Sequence, residues 1–294
     1  MQTTLTPLNA VYKKNSDAFI PVVSPREFSF VVNKLRTFFL EQGFLEVHTQ
    51  NRISIMAACE NPHSIASYTF ANQLLPLPQT GQMWLEYELL RAPEEKGFFC
   101  VSTSYRDEVD PIPGRHDRIF PMFEFELKGG IDVLEQLEKD LVAYLGFKTP
   151  AVGNYEDVCK QYGISIIEAV DELNIQKDSG DVFFLRFFPE RTNPFWNMKR
   201  NELNKELSNK IDVLLHGIET IGSAERSCNA DEQRAAFYTI EDGKYAKKIF
   251  ELFGQDKVEE ELNDFLAQDF FPRSGGGIGI TRMIRAMKLE GLMD

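Results

Sequence analysis

Closely spaced cysteines are missing from this sequence. The four present, Cys59, Cys100, Cys159 and Cys228, lie far apart. A zinc knuckle, a redox motif and a disulfide framework are therefore unsupported, and reduced thiols are the expectation. Long apolar runs are also missing: none approaches the roughly 18 residues of a membrane span. The opening Met1–Thr6 shows neither a basic n-region nor an apolar h-region, so no signal peptide is visible and a cytoplasmic, non-membrane protein is expected. Positive charge is scarce, with 45 acids against 32 bases and a net charge of -13. Nucleic-acid affinity rests largely on neutralising phosphates, so this balance excludes a broad phosphate-binding surface. Internal repeats and low-complexity tracts are absent as well. What remains is a 294-residue chain, 43% hydrophobic and 26% charged, with 24 phenylalanines that point to an aromatic-rich core.

The local patterns describe a mixed architecture. Residues 1–23 read as an N-terminal arm. Ser24-Pro25-Arg26-Glu27 reads as an N-cap, a proline at N1 and a glutamate closing a capping box. Phe30, Val31, Leu35, Phe38 and Phe39 then keep helical spacing until Gly43. Phe44–His48 alternates as a strand, and residues 51–76 carry no clear period. A helix is expected at Gly81–Leu90, a strand at Gly97–Tyr105 and a helix at Asp132–Leu145. Residues 150–181 read as a helical insertion. Strands are expected at Val182–Phe188, Ile211–Leu215 and Ile218–Gly222, with mostly helical segments at Asp231–Phe253 and Val258–Leu266. Hairpins outnumber β-α-β alternation. The expected fold is α+β, a mainly antiparallel sheet of six to seven strands flanked by helices, within one domain spanning residues 24–294.

Three segments carry chemistry. In the first, Arg106 and Glu108 share a strand face, and on the return strand so do Phe120, Met122, Glu124 and Glu126. Phe123, Phe125 and Leu127 point the other way, into a core. The loop between adds Arg115, His116 and Arg118 as possible phosphate contacts. An arginine there can neutralise an α-phosphate, and a phenylalanine can stack on a base. The second is a hairpin around His216-Gly217, in which Leu214 opposes Glu219. Asp212 and Glu219 are then diagonal neighbours, a credible Mg²⁺ pair. Simple alternation puts Arg226 on the opposite face unless Gly222 supplies a bulge. The third is Ser274–Arg282, where glycines alternate through Gly275, Gly277 and Gly279. A face without side chains lets a flat ligand lie against the backbone, with Arg282 starting the next helix.

Together these segments resemble the catalytic core of class II aminoacyl-tRNA synthetases, in the aspartyl/asparaginyl branch. Arg106–Phe120 resembles that family's second motif and Ser274–Arg282 its third. Thr80-Gly81-Gln82-Met83-Trp84-Leu85-Glu86 is similar to the asparaginyl helix start, and residues 24–48 to the dimer-forming first motif.

The resemblance implies ATP and Mg²⁺ as cofactors and a homodimer as the assembly. It implies Arg106 at the α-phosphate, Glu108 near the adenine amino group and Arg115 or His116 at the γ-phosphate. Phe120 and Arg282 would sandwich the adenine above Gly277 and Gly279. Gln82 and Glu124 would orient the amino acid, Arg226 would read its side chain, Glu60 would hold its amino group in the family's manner, and Asp212 and Glu219 would hold the metal. Leu85 stands where aspartyl enzymes usually carry a lysine. Ile221 and Ala224 replace floor glycines and are expected to reshape the amino-acid pocket.

About two dozen residues precede the first motif, too few for a five-stranded anticodon-binding barrel. No such domain is expected, which disfavours tRNA as acceptor. The expected activity is amino-acid activation through an acyl-adenylate, with transfer to ammonia or a small amine, similar to free-standing asparagine synthetases of archaeal type. Acylation of tRNA and a non-catalytic binding role are the alternatives.

Overall fold

The structure, a computed structural model, describes residues 23–50, 53–57, 60–111, 115 and 117–293. Residues 1–22 of the expected arm, and His116, lie outside the described residues.

Helix α1 (Pro25–Glu41) begins at Pro25 and ends before Gly43, whose φ of 85° suits a residue without a Cβ. The expected capping box is not formed among the described residues: Ser24 is the N-cap but its side chain makes no cap bond. Glu27 instead accepts from Lys288, which ties α1 to the C-terminal helix. Two residues, β1 (Leu45–Glu46), then pair in parallel with β4 (Gly97–Tyr105). Between them, the stretch without a clear period holds a separate hairpin, β2 (Ser67–Phe70) and β3 (Gln73–Pro76), followed by α2 (Gln82–Arg91). Its two-residue turn places Ala71 and Asn72 at φ 49° and 61°. A turn of that kind favours Asn-Gly or Asp-Gly, so Ala71-Asn72 gave no hairpin signal.

After β4 come β5 (Ile119–Lys128) and α3 (Ile131–Leu145). The insertion opens with a strand, β6 (Ala151–Asn154), before α4 (Tyr155–Tyr162) and α5 (Ala169–Ser179). Then follow β7 (Val182–Pro189), β8 (Leu207–Leu215) and β9 (Ile218–Glu225). The helices α6 (Ala230–Thr239), α7 (Lys244–Phe253) and α8 (Gln255–Leu266) precede β10 (Arg273–Gly279) and α9 (Ile280–Leu289).

The main sheet has eight strands in the order β1-β4-β5-β10-β9-β8-β7-β6. It exceeds the expected six to seven because β6, in the segment read as a helical insertion, adds a parallel pair at one edge, as the expected strand β1 does at the other. The six strands between pair antiparallel. A residue-by-residue alternation sorts the two faces. One carries Phe99, Phe123, Phe125, Val213, Ile221 and Ile278, packed with Phe39 of α1, Leu141 of α3 and Met283 of α9. At fully buried aromatic positions such as Phe39, Phe99 and Phe123, each ring contributes on the order of 2 kcal/mol through removal from water. The opposite face is covered only at its flanks. Trp196, Phe237 and Phe265 pack with α6 to α8 on one side, and Tyr155, Ile175 and Leu214 pack with α4 and α5 on the other. A trough over β5, β10 and β9 remains between them.

Candidate active site

The floor of the trough is one row of cross-strand partners. Glu124 on β5 opposes Gly277 on β10, Gly277 opposes Gly222 on β9, and Gly222 opposes Asp212 on β8. Partners across a sheet share a face, so two glycines lie bare at the centre with an acid at each end. A Cβ at Gly277 would come within 2.7 Å of Met122 Cε. A cleft of about 350 Å³ opens above this row and is lined by Arg106, Glu108, Arg115, Phe120, Glu219, Gly277, Gly279 and Arg282. Glu60, Met122, Phe195, Met198, Lys210 and Tyr245 line the same cleft.

Arg106 follows β4. Its N–H donates to the Arg118 carbonyl at 2.7 Å, which carries the β4–β5 pairing one step further. Its guanidinium lies 5.3 Å from the Phe120 ring centroid. Arg282, in the first turn of α9, donates from Nη1 to the Glu219 carbonyl at 2.7 Å and from Nη2 to the Arg115 carbonyl at 3.3 Å. It therefore joins the hairpin tip to the β4–β5 loop. Arg115 Nη2 is 2.5 Å from Glu172 Oε1 on α5, and Glu172 Oε2 accepts from the Glu219 N–H at 3.0 Å. The insertion thus reaches the site through Glu172, a residue whose role no local pattern announces.

The expected bulge exists, but Thr220 supplies it rather than Gly222. Leu214 opposes Glu219 while the adjacent Val213 opposes Ile221, so Thr220 is the extra residue. Beyond it the strand's faces are exchanged. Gly222, Ala224 and Arg226 turn to the cleft side. Ile221 turns away, fully buried in the opposite core with Phe123 and Ile278. Ile221 therefore does not line the cleft as expected, whereas Gly222 does.

Glu124 lies beneath the cleft. Its carboxylate accepts from the Gly81 N–H at 2.8 and 3.0 Å and from Ser102 Oγ at 2.5 Å, anchoring the start of α2. Burial pushes its carboxyl up to about 7 despite these bonds. Gln82, one residue on, is fully buried, and its Nε2 has no hydrogen-bond partner among the described residues. A Cβ at Gly277 would lie 3.9 Å from that Nε2, so the amide stands over the glycine floor. Glu60 accepts from the Ala57 and Thr80 N–H groups, and burial raises its carboxyl to about 8.

Arg226 belongs to a buried network. Nε and Nη2 are each 3.1 Å from Glu126, Nη2 is 3.5 Å from Gln82 Oε1, and Nε is 3.6 Å from Glu86. Arg273 Nη2 pairs with Glu86 at 2.9 Å. Two arginines and two glutamates balance their charges, the condition for burying them at tolerable cost. Leu85 faces Phe98 and Cys100 beneath α2.

The expected metal pair does not form an open cradle. Glu219 lines the cleft, but Asp212 is only 9% exposed and stands behind Lys210, whose Nζ is 2.7 Å from Asp212 Oδ2. Burial opposes ionisation of Glu219, yet the positive charges of Lys210, Arg282, Arg115 and Arg106 outweigh it and hold the carboxyl below its ordinary value. The donor set of two acids suits a hard cation, but an ammonium already occupies the approach. As arranged, the pair does not fit a divalent ion. Lys210 lies two residues from Asp212 on one strand, so the alternation that grouped Asp212 with the site could also have found it.

No helix among the described residues is long and apolar enough to cross a membrane. No curated protein sequence matches the chain. Among solved structures it is similar to asparaginyl-tRNA synthetase from Pyrococcus horikoshii complexed with asparaginyl-adenylate, with a TM-score of 0.74 and 16% identity over 89% of this chain and 64% of that one. Asparaginyl-tRNA synthetase from Entamoeba histolytica in complex with asparaginyl-adenylate gives 0.69 and 20% over 90% and 63%. Aspartyl tRNA synthetase from the same organism gives 0.64 and 19% over 89% and 54%. The chain thus spans less than two thirds of the length of these relatives. The family model described as tRNA synthetases class II (D, K and N) matches residues 26–290. Since that match takes in the glycine floor, the arginines above it and the bulged hairpin alike, the chain belongs to the class II tRNA synthetase family of the D, K and N group.

Proposed function

We propose that this protein is an ATP-dependent ligase that activates an amino-acid carboxylate as an acyl-adenylate and transfers the acyl group to ammonia or a small amine. The observation that carries the reading is the convergence of Arg106 over Phe120 with Arg282 above the bare backbone of Gly277 and Gly279. Phe120 and Arg282 would hold the adenine between them, and the missing side chains would let the ribose and α-phosphate approach the strand. A carboxylate oxygen then attacks the α-phosphorus and pyrophosphate leaves. Arg106 would stabilise the charge that develops on the α-phosphate oxygens. In the second step the amine attacks the acyl carbon and AMP leaves. ATP and Mg²⁺ are the expected cofactors, with Mg²⁺ arriving on the nucleotide's phosphates.

Aspartate, giving asparagine, is the specific candidate. For asparagine to form, the side-chain carboxylate is the one adenylated, so the α-carboxylate would have to displace Glu126 from Arg226, whereas the buried amide donor of Gln82 offers a direct contact. Amino-acid-dependent ATP–pyrophosphate exchange across a panel that includes aspartate and asparagine tests the first step. Absence of exchange with every amino acid would sink it and favour a binding protein. Product analysis with ammonium then tests the acceptor.

Acylation of tRNA is a second reading, favoured by the similarity to tRNA synthetases. The net charge of -13 favours a small acceptor over a polyanion. Charging of total tRNA would decide for the second reading. A homodimer is proposed through the α1 side, where Phe30, Leu40 and Leu45 are exposed. Light scattering reads that state directly.

A further inference from the structure

Lys210 occupies the approach to the two acids that were expected to hold a cation. On β8 it shares the cleft face with Asp212, and its Nζ lies 2.7 Å from Asp212 Oδ2. The same ammonium stands 3.8 Å from the Phe188 ring centroid, a cation–π contact that fixes it from a second direction. Its side chain is 20% exposed against 9% for Asp212, and it is Lys210 that lines the cleft beside Glu219 and Arg282. Asp212 Oδ1, the oxygen not bonded to Lys210, has no hydrogen-bond partner among the described residues.

A divalent ion placed between the acids would meet this held charge at close range. We propose that Lys210 Nζ is a built-in cation that takes the place of a divalent ion between Asp212 and Glu219 and presents its charge to the phosphates of the nucleotide. Lysine suits the task, being a compact point charge. The variant Lys210→Met keeps an unbranched side chain one atom shorter and removes the charge. It leaves Asp212 Oδ1, Asp212 Oδ2 and Glu219 as an acidic cradle able to take a hard cation.

The catalytic consequence rests on the ATP-dependent reading above, but the placement of the charge does not, and it is tested without any reaction. Nucleotide-free protein is titrated with Mn²⁺ above neutral pH, and unbound Mn²⁺ is read by electron paramagnetic resonance. Wild type and Glu219→Gln are expected to take up Mn²⁺ alike. Lys210→Met is expected to gain one site, and Lys210→Met/Glu219→Gln to lose it. A wild-type site that Glu219→Gln abolishes would overturn the proposal, as would a folded Lys210→Met that gains none. Should Lys210→Met not fold by circular dichroism, the comparison of wild type with Glu219→Gln still decides, because equal uptake supports the proposal and unequal uptake refutes it. In pyrophosphate exchange, Lys210→Met is expected to lose about 100-fold and to recover in part with added Mn²⁺. Unchanged exchange in that variant would remove the catalytic role and leave the ATP reading intact. No exchange by wild type would remove the ATP reading, with the Mn²⁺ result still standing.

Discussion

Arg226 is held by Glu126 through two hydrogen bonds of 3.1 Å, fully buried on both sides. The residue placed to read a substrate's side chain therefore already has a carboxylate. Glu126→Gln should destabilise the protein by about 3 kcal/mol, because one charge of a buried pair is left without its counterpart. The released Arg226 charge should also raise exchange with aspartate relative to asparagine. Urea denaturation checks the first outcome and the ratio of the two exchange rates checks the second.

Two floor glycines should respond differently to one methyl group. At Gly275 a Cβ would overlap the Glu126 carboxylate and the Phe125 carbonyl, the latter backbone that cannot step aside. At Gly277 it would meet the flexible end of Met122 at 2.7 Å. Gly275→Ala is therefore expected to cost about 2 kcal/mol or more in stability. Gly277→Ala should fold normally yet raise the KM for ATP at least tenfold. Thermal denaturation beside exchange kinetics separates the two.

Arg106→Ala should lower kcat for exchange by about 100-fold, as loss of one preorganised charge at the reacting centre does. Phe120→Ala should act mainly on the KM for ATP, since a stacking platform contributes to binding of the base in ground and transition states alike. Stability should hardly change in either variant.

Stability should fall as pH rises. Burial raises Glu60 and Glu138 to about 8 from an ordinary 4.5. Between those values the native state holds protons that the unfolded chain has released, so the unfolding free energy declines with pH. The loss begins near the unfolded value and is complete once pH passes the folded one. Glu138, on α3 and away from the cleft, is the cleaner probe. Glu138→Gln should make the decline between pH 4.5 and 8 shallower by an amount on the order of a few kcal/mol. Denaturant titrations across that range would show it, and an unchanged slope would refute it.

Alternation made much of this molecule legible. It separated Phe123 and Phe125 from Glu124 and Glu126 on β5, and the glycines of β10 from Ile278, because a buried sheet punishes any slip of register. It failed where the chain adds a residue. Ile221 looked like part of the pocket until the bulge at Thr220 turned it into the core. It also could not reach partners distant in sequence: Glu172 meets Arg115 across 57 residues, and Glu126 meets Arg226 across 100. The short edge strand β6 carries too few residues to show a period within the segment read as a helical insertion, which left the sheet expected narrower than it is. Ser24-Pro25-Arg26-Glu27 carries the composition of a capping box, but Lys288 competes for Glu27.

The extra residue at Thr220 makes β9 a sentence with two reading frames. Before it, odd-numbered Glu219 faces the cleft; after it, the even-numbered Gly222, Ala224 and Arg226 do. Point changes along this strand alter one letter at a time and can be absorbed. Loss of Thr220 alone would close the ladder with every face kept, whereas loss of one residue between Gly222 and Arg226 with the bulge in place would send Arg226 toward the phenylalanine core. Chains that keep this site should therefore tolerate a missing residue at the bulge while holding the count of four steps from Gly222 to Arg226 fixed.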